Sequence, residues 1–378
     1  MIELLRKLVS INSIFPNEEE IGNFLFDLLK SLNFKVEKQY LNTNRFNLLA
    51  EKGQGNKSIL FYGHLDTVPI YGNWTNNPFD LIIKNDKAIG LGSVDMKGGI
   101  VSIIEATKNF NPKNFKIKIA FGVDEENYSQ GAFKLVNSDY INDVELVIVP
   151  ESSLPYHKSE KASSIISIGR KGRVVFKISI YGISSHGVNK DKGINAIEEA
   201  SKLVLYLNDY KHEFNNKMGY SHCFVSSINS FSKSLSIPDK VELILDFHTV
   251  PNQTADSLKL DLKNFISNLY KENKLKKGFK DFEIDYINRP TPFLEAFENK
   301  KNKYFDLVSN SVKKIYNEVS YNYGQSVSDE NVFGFKGIET YTIGPLGDNH
   351  HSSDEWVSIK SLEKLSLIYK KILNEFIN

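Results

Sequence analysis

The sequence predicts an α/β protein whose main sheet is covered by helices on both faces and is interrupted by a smaller α+β segment. Three observations carry this reading. Apolar runs without a polar interruption, such as Ser58-Ile59-Leu60-Phe61-Tyr62 and Val144–Val149, alternate with helix-like segments early in the chain. Runs of that kind belong to strands buried on both faces. Past residue 169 the texture changes, and Val174, Phe176, Ile178 and Ile180 alternate with polar residues as a half-solvated strand requires. Finally, acidic residues and histidines recur where the apolar runs end, which is where α/β sheets gather their ligands.

Taken in order, Asn17 can cap a first helix with Glu20 at its third position, and Ile21, Phe24, Leu25, Leu28, Leu29 and Leu32 form its apolar stripe. Strands are expected at 34–40, 46–50, 58–62, 116–123 and 144–149. Helices are expected after Gly98-Gly99, through Ile100, Ile103, Ile104 and Ala106, and around 131–136. The later segment reads as strand 173–181, helix 194–207, strands 223–228 and 241–247, helix 255–270 and strand 282–287. This β-α-β-β-α-β order suggests a small antiparallel sheet with two helices on one face. Residues 1–168 and 285–378 are then two parts of one catalytic domain, and residues 169–284 an inserted one. Two domains also suit 378 residues, more than one hydrophobic core usually supports.

Composition excludes several function classes. A net charge of +1 argues against nucleic acid or an anionic membrane as the main partner. The single cysteine, Cys223, rules out an intramolecular disulfide framework and fits a reducing compartment. The first residues, Met1-Ile2-Glu3-Leu4-Leu5-Arg6-Lys7, do not read as a secretory signal, and no apolar run approaches the ~20 residues of a membrane span. The expectation is a soluble cytoplasmic protein acting on a small molecule.

The chemistry lies in the loops. His64 and Asp66 are two apart, so on an extended segment both side chains point the same way. His64 could then bind a metal through one nitrogen while Asp66 fixes the ring. Alone, the pair is a common pattern. Asp95, in Asp95-Met96-Lys97-Gly98-Gly99, reads by itself as a helix cap before it reads as a ligand. Glu125 and Glu126 are either a solvated acidic loop or a division of labour. In the second case one carboxylate holds a metal and the other takes a proton from a water whose pKa the metal lowers towards about 7. Glu151 follows Val149-Pro150, and His351 stands beside His350, which leaves the choice between the two open. His186, in the inserted segment, reads by itself as a surface residue sooner than a catalytic one. His157, His212, His222 and His248 have no metal-type surroundings. As a set, two imidazoles and three carboxylates give each of two metals one nitrogen and one carboxylate of its own, with one carboxylate left to bridge. That arithmetic matches a co-catalytic pair about 3.5–4 Å apart. Nitrogen and oxygen donors without thiolates suit zinc, with cobalt or manganese as substitutes.

The chain also resembles the co-catalytic zinc amidohydrolases that include acetylornithine deacetylase, succinyl-diaminopimelate desuccinylase, aminoacylase and glutamate carboxypeptidases. The resemblance runs through Gly63-His64-Leu65-Asp66-Thr67-Val68-Pro69, Gly90-Leu91-Gly92-Ser93-Val94-Asp95-Met96-Lys97-Gly98-Gly99 and Asp124-Glu125-Glu126. It continues through Pro150-Glu151, Gly169-Arg170-Lys171-Gly172, His186 and His351 with Asp354-Glu355. It implies a zinc-peptidase-like catalytic domain with an inserted ferredoxin-like domain that serves as lid and dimer interface. It further implies that Asp95 bridges two metals, one held also by Glu126 and His351 and the other by His64 and Glu151. Glu125 would be the general base, and Asp66 would support a ligand. His186 would reach the partner subunit's site to stabilise an oxyanion, and Arg170 would contact a substrate carboxylate. The implied reaction is hydrolysis of an amide bond in an N-acyl-amino acid, most like acetylornithine deacetylase. Di- or carboxypeptidase, desuccinylase, or release of lysine or ornithine from a carrier protein are the alternatives. A non-catalytic relative would have lost a ligand or the base, and none is lost. Two positions depart from the family pattern. Leu235 replaces the usual asparagine before a lid strand, and His248 replaces the usual arginine, so specificity rather than chemistry is affected.

Overall fold

Ser58–His64 is buried at all seven positions, and Lys116–Gly122 and Val144–Val149 nearly so. Such strands need neighbours on both edges and cover on both faces. In the computed structural model, which describes residues 1–152, 164–230, 235–300 and 302–376, both requirements are met. Ser58–His64 lies between Lys116–Gly122 and Val144–Val149, parallel to each, and Glu339–Thr342 adds a further parallel strand beside Val144–Val149. Phe46–Gly53 and then Lys35–Tyr40 continue antiparallel on one side. On the other side Ile165–Arg170 meets Glu339–Thr342 antiparallel and carries Ser320–Gly324 parallel to itself. The sheet is therefore mixed. Successive side chains of Ser58–His64 face opposite ways. Phe61 meets Tyr369 of the helix Ile359–Glu375 at 5.2 Å between ring centroids, and Tyr62 meets Phe333 of the helix Glu330–Phe335 at 4.8 Å.

The chain divides into two compact units. The first comprises Met1–Arg170, Glu298–Gly324 and Ser328–Asn378, and the second Lys171–Phe297 with Gln325–Val327. The second is built on an antiparallel sheet in the order His222–Ser230, Lys240–Thr249, Gly172–Tyr181, Glu283–Tyr286. Phe176, Ile178 and Ile180 with Leu243, Leu245 and Phe247 share a buried cluster with Leu203 of helix Ala196–Tyr206 and Leu262 of helix Ala255–Lys271. Within each strand these residues are of one parity, and Leu243 and Leu245 stand opposite Ile178 and Phe176, so both helices cover the same face. Asn195 caps the first helix by accepting from the Ile197 amide at 3.0 Å, and Thr254 and Ser257 form a reciprocal capping box on the second.

Several local expectations change. Residues Ile2–Ser10 form a helix that bears no side-chain cap, and it buries Leu5, Leu8 and Val9. The next helix begins at Glu19, and Asn17 does not cap it. Glu18 occupies the cap position, and its carboxylate is turned to Arg45 instead, accepting from Nε at 2.9 Å and Nη2 at 2.5 Å. The strand 173–181 is not half-solvated, because Val175, Ser179 and Tyr181 are buried as well. It is an inner strand, and long charged side chains such as those of the Arg173–Asp246 pair lie across its polar face. A small sheet, Gly347–Asp348, Trp356–Ser358, Lys87–Ile89 and Ile82–Lys84, had no signal in the sequence because its strands are only two or three residues long. Among the described residues no helix is long and apolar enough to cross a membrane. His157 lies outside the described residues.

The Glu18–Arg45 pair makes a stability prediction. Glu18 is 1% exposed, so Arg45→Met should strand a buried charge and cost about 3–5 kcal/mol in urea denaturation. The double change Glu18→Leu with Arg45→Met should recover most of that loss. A loss below about 1 kcal/mol for the single change would show that the pair does not hold this corner of the fold.

Candidate active site

The four adjacent parallel strands all run the same way, so their carboxyl ends open on one edge of the sheet. His64 is the last residue of its strand, Glu125 and Glu126 follow Lys116–Gly122, and Glu151 follows Val144–Val149. Gly344, after Glu339–Thr342, leaves no room for a side chain, since a Cβ there would run into the Glu151 carbonyl. Asp95 enters from the turn that precedes the helix Gly98–Thr107, and His351 from the loop before Trp356–Ser358. The sheet thus gathers residues that are scattered through nearly three hundred positions.

Their geometry is specific. Asp95 Oδ1 lies 3.1 Å from His64 Nε2, and Asp95 Oδ2 lies 3.4 Å from His351 Nε2. Each imidazole has a second carboxylate, Glu151 Oε1 at 3.4 Å from His64 and Glu126 Oε2 at 3.2 Å from His351. Two sets of side chains, His64 with Asp95 and Glu126, and His64 with Glu125 and Glu151, bring their donor atoms close enough to hold a metal ion. His351 is the histidine that faces Asp95 and Glu126. His350 keeps both ring nitrogens buried with no hydrogen-bond partner. The two imidazoles also differ in access, since the His64 side chain is 1% exposed and that of His351 52%.

Asp66 supports this cluster differently from the sequence expectation. The His64 ring Nδ1 lies 2.9 Å from the Asp66 backbone carbonyl and 3.7 Å from its carboxylate. The carboxylate instead accepts from the backbone amides of Glu125 at 3.2 Å and Glu126 at 3.0 Å. One residue thus steadies the imidazole through its backbone and the glutamate pair through its side chain.

So many carboxylates in one place demand compensating positive charge. Burial works to lower the His64 imidazole, yet Asp95 and Glu151 hold it well above its ordinary range. The Asp95 and Glu126 carboxylates push His351 up to about 11. Burial would raise Asp95, but hydrogen bonds from His351 and His64 keep it well below the usual carboxylate range. Burial, then the negative charge of Asp95, pushes Glu151 up to about 7. Glu125 is driven well above its normal value by burial and by Glu126 and Glu151, with His64 opposing. Glu126 Oε1 is buried without any hydrogen-bond partner. An orphaned carboxylate oxygen among nitrogen and oxygen donors, with surplus negative charge, fits divalent cations.

Arg170 ends its strand in the first unit and donates from Nη1 to Glu330 Oε2 at 2.6 Å. Glu330 is fully buried and also accepts from Ser328 and from Thr342 Oγ1. The Arg170 Nε is buried without a hydrogen-bond partner. His186 belongs to the second unit, where it is exposed and its Nδ1 accepts from the Val188 amide at 3.2 Å. Leu235 is 76% exposed with φ +63°. His248 stacks on His222 with ring centroids 4.6 Å apart, and its Nδ1 lies 3.2 Å from the Gln325 carbonyl.

Sequence reasoning passed over Asp329 and Glu330. Ser328-Asp329-Glu330-Asn331 reads as an ordinary helix start, which hides that Asp329 is 1% exposed and bonded to the Tyr62 hydroxyl. Burial pushes Asp329 up to about 7. The alternation in Ser58–His64, which sends Tyr62 to the opposite face from Phe61, was the available signal that a polar partner waits there.

Comparison with known proteins agrees with this geometry. The family model described as peptidase family M20/M25/M40 matches residues 60–375. The chain is similar to an acetylornithine deacetylase of Buchnera aphidicola, with 28% identity over 99% of this chain and 96% of that protein. It is similar to a succinyl-diaminopimelate desuccinylase of Helicobacter pylori, with 27% identity over 99% and 98% of the two chains. Its fold matches that of a dinuclear metal-binding M20 peptidase from Bacillus subtilis, with a TM-score of 0.72 and 15% identity over 98% of this chain and 96% of that one. The match spans most of the chain and both edges of the residue cluster, and the chain belongs to peptidase family M20/M25/M40 as a metal-dependent hydrolase.

Proposed function

We propose that the chain hydrolyses the amide bond of an N-acyl-amino acid, as the similar acetylornithine deacetylase is named for doing, within amino-acid biosynthesis in the cytoplasm. The observation that carries this reading is the sharing of Asp95 between His64 and His351, each with a carboxylate of its own. In this reading His64, Asp95 and Glu151 hold one ion, and Asp95, Glu126 and His351 the other, with zinc suited to the donor set. A pair of divalent ions bound there would polarise the scissile carbonyl and lower the pKa of the attacking water.

The chain's own residues do the rest. Glu125, whose burial among carboxylates raises its proton affinity, takes the proton from the attacking water and passes it to the leaving nitrogen. His186 of the partner subunit in a homodimer donates to the oxyanion. Arg170, with its free Nε, donates to a substrate oxygen. The reading is tested by turnover on a panel of N-acetyl and N-succinyl amino acids and dipeptides with zinc or cobalt added. N-acetylornithine should be the best substrate of the panel, and exclusive turnover of dipeptides would overturn the deacylase assignment.

Three outcomes follow from the assigned roles. Glu125→Gln should keep its metal while kcat falls by at least ~10²-fold, and normal turnover would exchange the roles of the two glutamates. Because His64 and His351 are both raised, each ion must displace a proton near neutral pH. Zinc affinity of the metal-stripped protein should therefore rise at least about tenfold per pH unit for each ion between roughly pH 6 and 8. A pH-independent affinity would exclude these imidazoles as ligands. Mixed dimers of His186→Ala and Glu125→Gln chains should regain about half of the activity per dimer, since one of their two sites carries neither defect. No recovery after proven subunit exchange would remove His186 from the partner's site.

A further inference from the structure

Asp354-Glu355 belongs to the sequence pattern around His351, yet the chemistry above makes no use of Glu355. Glu355 is 2% exposed, and its carboxylate meets the turn that carries Asp95. Its Oε2 accepts from the Gly92 amide at 2.7 Å, and its Oε1 from the amides of Val94 at 2.8 Å and Asp95 at 3.0 Å. Its backbone carbonyl accepts from the Gly90 amide at 2.9 Å and from Ser93 Oγ at 3.3 Å. Five donors between residues 90 and 95 thus end on a single distant residue. Gly92 makes the turn feasible, with φ +73° and a space where a Cβ would lie 2.6 Å from Thr67 Cγ2.

We propose that Glu355 is a positioning residue for metal binding. It fixes the backbone of residues 92–95, so that the Asp95 carboxylate stands between His64 and His351. The proposal rests on the reading of Asp95 as the shared ligand. Three amides that end on one buried carboxyl group fix the backbone of this turn at three points. Groups that orient a ligand without touching the metal typically change metal affinity 10–100-fold. Glutamine has the shape of glutamate but presents an NH₂ donor at one of the two oxygen positions, so it cannot accept all three amides. The neighbouring Asp354 makes a suitable control, since its carboxylate accepts from the Thr75 amide at 3.0 Å and hydroxyl at 2.6 Å in an exposed loop, away from the turn of Asp95.

The test is chelator competition on the zinc-loaded full-length protein, reading the ions retained per chain. Glu355→Gln should release zinc at a chelator concentration about 10–100-fold lower than the parent, while Asp354→Asn should match the parent. Glu355→Asp keeps the charge but is too short to reach all three amides, and it should shift at least ~tenfold, so it carries the test if the glutamine variant fails to fold. In an Asp95→Asn background, Glu355→Gln should add no more than about twofold, because both changes act through the same ligand. Parental retention in Glu355→Gln or Glu355→Asp, or shifts that add fully to that of Asp95→Asn, would overturn the proposal. Undiminished zinc in Asp95→Asn itself would instead overturn the reading of Asp95, and the role of Glu355 with it.

Discussion

The structure turns on one electrostatic constraint. Asp95, Glu125, Glu126 and Glu151 converge on two imidazoles, and like charges this close persist only where positive charge is supplied. The parallel strands bring the groups together because their carboxyl ends open on one edge. The surrounding shell then holds them there. Asp66 takes the amides of both glutamates, and burial supplies the low-dielectric setting in which a cation's charge counts most. A neutral or apolar lining would have been easier to fold, so the arrangement makes sense as preorganisation for ions.

Much of the fold was legible because the apolar runs are long. Val144–Val149 occupies the residues its pattern marks, and Ser58–His64 and Lys116–Gly122 differ from theirs only at the ends. Elements that owe their form to distant partners were not legible. Glu18 is taken up by Arg45, 27 positions away, so the capping signal at Asn17 misleads. The strands of the small sheet are too short for any period to show. The cluster was readable as a set of acids and histidines after apolar runs, and the structure brings His64, Asp95, Glu126, Glu151 and His351 together. What each carboxylate touches was not readable. Asp66 was expected at the imidazole and is found on the glutamate amides. Asp329 and Glu330 do start a helix, and that they are also buried carboxylates was not readable.

In the proposed role of Arg170, substrate recognition would depend on a neighbour's charge. A free guanidinium beside the cluster would attract any anionic acyl chain. Glu330 already meets part of that charge, leaving Arg170 as a hydrogen-bond donor more than a net cation. Such a donor suits a neutral carbonyl or a carboxylate balanced elsewhere. His248, stacked on His222, stands where the resemblance leads one to expect an arginine, and so places no fixed cation there. In the proposed reaction both features bear on specificity, while the metal-type residues are untouched.

The proposed chemistry depends on Asp95 serving two ions at once. Anomalous scattering at the zinc edge from crystals of the purified chain measures this directly. The account predicts two peaks about 3.5–4 Å apart, one on each side of the Asp95 carboxylate, with His64 and Glu151 at one and His351 and Glu126 at the other. A single peak in zinc-saturated crystals, or two peaks of which only one touches Asp95, would contradict it.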